Sequence, residues 1–239
     1  MLNRELLLIS SPSDQPPIHF TASSNFSNIN FFPGITASNS NYDFSNLQVY
    51  INDVLTNQAA NNISASAYDD IKIIATDNKY PYFGNTSSSV SKNSIDYIQQ
   101  IKEPFPLMYD ASGTAVDSFA YCLSRCSSLT SVPEGLFSNN PGITRLNDCF
   151  VNCFSLTHIP GGLFEGLPNV TTFSNCFTRC KSLTSLPSGL FADNINVTSF
   201  GSCFADNQNL ASIPSDLFIN NTNVTSFGSC FWNCPITSI

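Results

Sequence analysis

Charge is scarce in this 239-residue chain. Only 11% of its residues are Asp, Glu, Lys or Arg, against about a quarter in ordinary globular domains. Nine are basic, they are scattered, and the net charge is −8. Nucleic acid and anionic membrane surfaces are gripped by clustered Lys and Arg, so neither is expected as a partner. Long apolar runs are missing too. Met1 to Ile9 hold one Arg and a four-residue apolar stretch, Leu6 to Ile9. A secretory leader needs about 7–15 such residues and a membrane span about 20. The expectation is a chain without leader or span, either intracellular or leaving the cell by another route, such as inside a virus particle. Histidine occurs only as His19 and His158. Neither is placed beside a cysteine with a third, orienting group, so nucleophilic catalysis is not expected. The first 121 residues hold no cysteine at all.

What is present is a repeat. Cys122, Cys149, Cys176, Cys203 and Cys230 follow one another at intervals of 27 residues. Phe119, Leu146, Phe173, Phe200 and Phe227 keep the same step, as do Leu123, Phe150, Phe177, Phe204 and Phe231. A fixed period of this length marks a stack of units, none of which can bury its apolar face alone. With 42% apolar residues the chain is long enough for one large or two modest domains.

All nine cysteines lie inside the repeat, and nine is odd. Cys126, Cys153, Cys180 and Cys234 share a position that Asn207 fills in the fourth unit. A disulfide partner cannot be exchanged for Asn, whereas a buried hydrogen-bonding side chain can, so free thiols are expected. The Cys-x3-Cys pairs are also a possible source of zinc thiolates. Asn207 favours the structural role, in which the side chain satisfies loop backbone amides.

Residues 1–90 are not repetitive. Ile18–Ala22, Leu47–Ile51 and Asp70–Ala75 alternate apolar and polar residues and are expected as strands. Turn-rich pieces such as Phe32-Pro33-Gly34 and Ser38–Asn41 separate them. The spacing predicts a small antiparallel β-sandwich over 1–90. Asn85–Ser94 is expected as a linker or edge loop within or beside it. Residues 91–117 are expected to link and cap the repeats: Ile98-Gln99-Gln100-Ile101 imitates the later Leu-x-x-Ile spacing, and Val116–Phe119 already matches the repeat. Residues 118–239 then form about five 27-residue coils, making the chain mainly β.

Each unit has two similar halves, as in Leu183-Thr184-Ser185-Leu186-Pro187 and Val197-Thr198-Ser199-Phe200. Each half is expected to be an extended segment followed by a tight turn of helix or 3₁₀. Stacking at about 4.8 Å would pile like residues into ladders: Leu129, Leu156, Leu183 and Leu210; Phe137, Phe164, Phe191 and Phe218; Ile143, Val170, Val197 and Val224. Pro133, Pro160, Pro187 and Pro214 would end the first strand of each unit, since Pro cannot donate to a ladder.

The run Val197-Thr198-Ser199-Phe200-Gly201-Ser202-Cys203-Phe204, followed in other units by a second cysteine and Ser-Leu-Thr-Ser-Ile/Leu-Pro, resembles the BspA-type, or Treponema-type, leucine-rich repeat. The resemblance covers about residues 95–239, with a unit longer than the family's own. It implies a leucine-rich-repeat solenoid that binds protein. Most such proteins sit on bacterial cell surfaces and bind host matrix proteins or other cells. Chains without a leader resemble accessory proteins of bacteriophages of gut Bacteroidetes, in which a β-domain precedes the repeats.

The outward strand row Ser131, His158, Ser185 and Ser212 is the candidate partner surface, since stacked repeats bind on an extended face. Trp232 stands where other units carry Ser124, Val151, Thr178 and Ala205. It is either an exposed anchor or a lid on the last coil. The Cys122, Cys149, Cys176, Cys203 and Cys230 column is structural. Thr144, Thr171, Thr198 and Thr225 form a ladder that either packs by β-branching or presents a hydroxyl array for glycan or ice. Asp69-Asp70 and Asp193-Asn194 lack the spaced oxygens of a calcium loop and are expected as turn residues. The sequence stops mid-unit, and an open stack end exposes strand edges, so another subunit is expected over it. The expected protein is a non-enzymatic interaction module without metal or cofactor. Its partners would be a virion or host-surface protein, with glycan as a second class, and its setting a bacteriophage virion. The alternative is a bacterial cell-surface adhesin.

Overall fold

A computed structural model describes residues 17–22, 26–29, 47–58, 63–75, 80–81, 98–109 and 114–238. The fold is mainly β, and no helix occurs among these residues. The described residues form nine strands: β1 (Ile18–Ala22), β2 (Phe26–Ile29), β3 (Leu47–Ile51), β4 (Val54–Leu55), β5 (Ile63–Ala65), β6 (Asp70–Ala75), β7 (Tyr80–Pro81), β8 (Ile98–Ile101) and β9 (Met108–Tyr109). The three strands expected from alternation are β1, β3 and β6. The turns at 32–34 and 38–41 and the linker at 85–94 lie outside the described residues.

One five-stranded antiparallel sheet has the order β4-β3-β6-β1-β8; β2 pairs with β5, and β7 runs parallel to β9. The pleat of β1 sends Ile18, Phe20 and Ala22 inward, beside Val49, Ile71 and Ile73 from its neighbours. His19, Gln48, Tyr50 and Lys72 occupy the other face and are only partly buried. β3 and β4 join through Asn52 and Asp53, both at positive φ (51° and 63°), as a two-residue type I′ hairpin requires. Of the β-sandwich expected over 1–90, the described residues show this one antiparallel sheet and the two-stranded β2–β5 pair. The inner face of the five-stranded sheet belongs to one apolar cluster that continues through Ile101, Phe105 and the repeats to Cys230.

The repeats pair with one another at a 27-residue step. Parallel bridges join Ser118 to Arg145, Arg145 to Thr172, Thr172 to Ser199, and Ser199 to Ser226. Rings pile with them. Phe150, Phe177, Phe204 and Phe231 are stacked 5.1–5.5 Å apart with planes within 7°. Phe137, Phe164, Phe191 and Phe218 are stacked at 5.8–6.1 Å. Phe173, Phe200 and Phe227 form a third column at 5.7 Å. Such contacts are favourable beyond the burial of area alone.

The turns between strands differ from the expected helix or 3₁₀ pieces. In the first unit the amides of Phe119, Tyr121, Leu123 and Arg125 donate to the carbonyls of Arg145, Asn147, Cys149 and Val151 one unit on, at 2.7–3.1 Å. The amides between them, of Cys122, Ser124 and Cys126, close back on Phe119, Tyr121 and Leu123. The same four inter-unit bonds recur from residues 146–152, 173–179 and 200–206. Two residues per unit adopt left-handed backbone: Tyr121, Asp148, Asn175, Ser202 and Ser229 at φ 53–63°, and Arg125, Asn152, Arg179, Asp206 and Asn233 at φ 57–66°. Each left-handed residue stops a turn from propagating into a helix, and alternate amides are freed for the next unit. The belt thereby spends its amides alternately within the unit and on the next one, as buried backbone donors require.

Candidate interaction surface

The segment that carries the candidate row is not the expected strand: it forms isolated bridges at Ser131 and Ser212, and none is formed at His158 or Ser185. Leu129, Leu156, Leu183 and Leu210 are fully buried, and Val132, Ile159 and Leu186 nearly so. The two residues between them turn outward. His158 and Ser185 are exposed, whereas Ser131 and Ser212 are half-buried. Ser131 bridges to Gln100 and Ser212 to Ser238, so the ends of the row are engaged in pairing while its middle faces solvent. His158 Nδ1 lies 3.3 Å from Thr157 Oγ1. Trp232 sits in the belt, a different segment of the unit. Its carbonyl accepts the Asp206 amide at 2.8 Å while 61% of the residue is exposed.

Two residues not singled out in the sequence join this surface. Phe154 is 41% exposed and precedes the His158 segment. Lys181, one unit on at the same position, places its ammonium 5.6 Å from the Phe154 ring centroid, within cation–π range. The 27-residue step aligns them, but only their exposure distinguishes them from core positions.

The threonine ladder is turned inward chemically. Thr144, Thr171, Thr198 and Thr225 each donate their hydroxyl to the carbonyl 27 residues earlier, at 3.0–3.2 Å. The same carbonyls accept the amides of these threonines. The row therefore offers acceptors but no free hydroxyl protons.

Behind the surface lies the cysteine column. Cys122, Cys149, Cys176 and Cys203 are fully buried and Cys230 nearly so; none of the nine cysteines forms a disulfide. Burial, with the neighbouring Cys176 thiol adding to it, pushes the Cys149 thiol well above its ordinary value. Burial does the same to Cys176, Cys180 and Cys203, and it pushes Cys230 up to about 12. A nucleophile or metal ligand must be a thiolate. Among the described residues no group of three or more His, Cys, Asp or Glu side chains is arranged to hold a metal ion.

The second cysteine position proves to be a donor site. Cys153, Cys180 and Cys234 direct Sγ at the carbonyls of Leu123, Phe150 and Phe204, at 3.0–3.2 Å. Asn207 directs Nδ2 at Phe177 O (3.0 Å) and Phe204 O (2.9 Å). These side chains satisfy carbonyls, not the amides expected from the sequence, because the amides are consumed by the belt. A parallel set of asparagines, Asn140, Asn194 and Asn221, lies on the same 27-residue step. Asn194 and Asn221 each donate twice to carbonyls of the preceding unit, and Asn140 donates to Pro106 O while accepting the Met108 amide.

Two polar features stand elsewhere. His19 Nε2 lies 2.9 Å from both Asp70 carboxylate oxygens, and Lys102 Nζ lies 2.8 Å from one of them. Partial burial pushes the Asp70 carboxyl up, but hydrogen bonds from Lys102 and His19 outweigh it and leave the group below the ordinary aspartate value. A cavity of about 220 Å³ lies along Gly161, Gly162, Glu165, Gly189 and Asp193. Asp193 is committed there to the Gly166 amide at 2.8 Å, as its reading as a turn residue requires. No helix among the described residues is long and apolar enough to cross a membrane.

No protein-family model matches this chain, and no curated protein matches it at a significant level.

Proposed function

We propose that this chain is a non-enzymatic protein-interaction module: a BspA-type leucine-rich-repeat solenoid of about five 27-residue coils, joined to a β-domain and carried by a bacteriophage virion. The observation that supports it best is the division of labour across each unit. The thiols and the aromatic columns are turned inward, while Ser131, His158, Ser185 and Ser212 take outward positions on one segment of the unit, with the exposed Phe154 and Lys181 beside it. An extended face on a constant frame is what repeat proteins use to engage protein partners. The exposed Phe154 ring is of the aromatic type enriched at protein interfaces. Trp232 supplies a second exposed anchor on the belt.

The virion setting rests on the resemblance and on the weakly charged surface. Mass spectrometry of purified virions against a host membrane fraction tests it. Recovery in virions is the expected result, and recovery only with the membrane fraction would favour the adhesin. Once a partner is in hand, a His158→Glu, Ser185→Arg double variant is expected to weaken binding by about tenfold or more. Unchanged affinity, in a variant that melts like the parent, would remove the row from the interface.

A further inference from the structure

β8 is paired on both edges. On one side Phe20 and Thr21 of β1 face Ile101 and Gln100. On the other, Gln100 bridges in parallel to Ser131 of the first repeat. The Thr130 amide and hydroxyl both donate to Gln99 O, at 2.8 and 3.1 Å, and the Ile101 amide to Ser131 O at 3.4 Å. The five-stranded sheet is thus bridged directly to the first repeat through β8. The interior is equally continuous. Phe105 packs its ring at 6.2 Å from Phe119 and 5.9 Å from Phe137, and its amide donates to Leu136 O at 2.7 Å. Asn140 ties Pro106 and Met108 to the first repeat.

The outer side of this junction is closed by charge. The His19 ring from β1 stands between Asp70 of β6, at 2.9 Å, and Glu103, at 3.8 Å. Lys102 follows β8 directly and holds the same Asp70 carboxylate, while its amide donates to His19 O at 2.9 Å. Lys72, opposite His19 on β6, is drawn to Asp53 instead. Three segments, β1, β6 and the chain just after β8, are therefore tied at one partly buried carboxylate.

We infer that β8 and the His19–Asp70–Lys102 cluster form a mechanical clasp that makes the sheet and the repeat stack one cooperative body. The sheet is then the stack's N-terminal cap, and it holds the exposed row at a set angle instead of on a swivel. Ordinary linkers between domains leave few contacts across the boundary; here the boundary is a hydrogen-bonded strand shared by both sides. The inference concerns the mechanics of the fold and holds whatever the row binds.

The test uses two reporters on the full chain. All nine thiols lie in the repeats, so thiol labelling in denaturant reports the stack alone. Hydrogen exchange at Phe20, Ile71 and Ile73 reports the sheet. In the parent the two are expected to lose protection together. Asp70→Asn, which weakens the cluster from the sheet side, is expected to speed labelling of the repeat thiols by roughly threefold or more, the size of a modest single-site destabilisation. Exchange that quickens in the sheet while thiol labelling stays at the parent rate would overturn the inference. So would separate midpoints in the parent, or no change in either reporter. If Asp70→Asn does not fold, Lys102→Met asks the same question more gently, with the same two outcomes.

Discussion

At position 207 an asparagine does a cysteine's task, and the comparison isolates what the site needs. Both residues donate to a carbonyl about one unit earlier, and Asn207 Oδ1 is buried without a partner. A buried orphan acceptor costs about 1–3 kcal/mol. Asn207→Cys is therefore expected to hold or raise stability, by up to about 1 kcal/mol once the weaker thiol donor is allowed for; urea unfolding would check it. Cys180→Ala removes the donor to Phe150 O and leaves a small void, and is expected to cost about 2 kcal/mol. The left-handed positions make a second argument at this scale. Asp and Asn tolerate that backbone, but Ser202 at φ 53° bears a side chain there without that aid. Ser202→Gly is expected to stabilise by about 0.5 kcal/mol, the relief of strain being partly offset by a freer unfolded chain. A lower melting temperature for that variant would show that the Ser202 side chain has a packing role.

Among elements, the aromatic columns and the belts divide the work of stacking. A ring inside a column touches neighbours on two sides, and Phe177 lies between Phe150 and Phe204 at 5.1 and 5.5 Å. Phe231 meets Phe204 on one side at 5.4 Å and is half-buried. Phe177→Ala is accordingly expected to cost about 3–5 kcal/mol, and Phe231→Ala clearly less; equal losses would deny the column its role. The belts explain why the columns stay in register. Four inter-unit bonds per junction, spaced two residues apart, leave no freedom to slip by one. The segment with His158 and Ser185 is held more by its buried leucines than by its backbone, which suits an outward surface.

The whole molecule concentrates its protons in a dry interior. An unfolded thiol ionises near pH 8.5, whereas Cys230 is held protonated up to about 12 and Cys149, Cys176, Cys180 and Cys203 are also shifted up by burial. Between those limits the unfolded chain has lost protons that the folded chain still binds. Stability is therefore fully present below about pH 8.5 and falls as pH rises. The urea midpoint is expected to drop between pH 8 and pH 10 with its slope unchanged, and a midpoint that rises would contradict the buried column.

The 27-residue spacing of cysteine and phenylalanine already determined that like residues share one environment, because a repeated pattern of buried side chains is satisfied most simply by repeated neighbours. The strands at 18–22, 47–51 and 70–75 were equally plain, since alternation has one burial solution. Three things were decided only in three dimensions. The turns became belts and not helices, because their alternate amides find carbonyls that lie 26 residues ahead and cannot be seen locally. The second cysteine position became a donor to carbonyls for the same reason. Ile98–Ile101, which the spacing marked as a degenerate coil, became the strand shared by sheet and stack. Its second edge is matched by β1, some 80 residues earlier, and no pattern within the segment encodes a partner so far away.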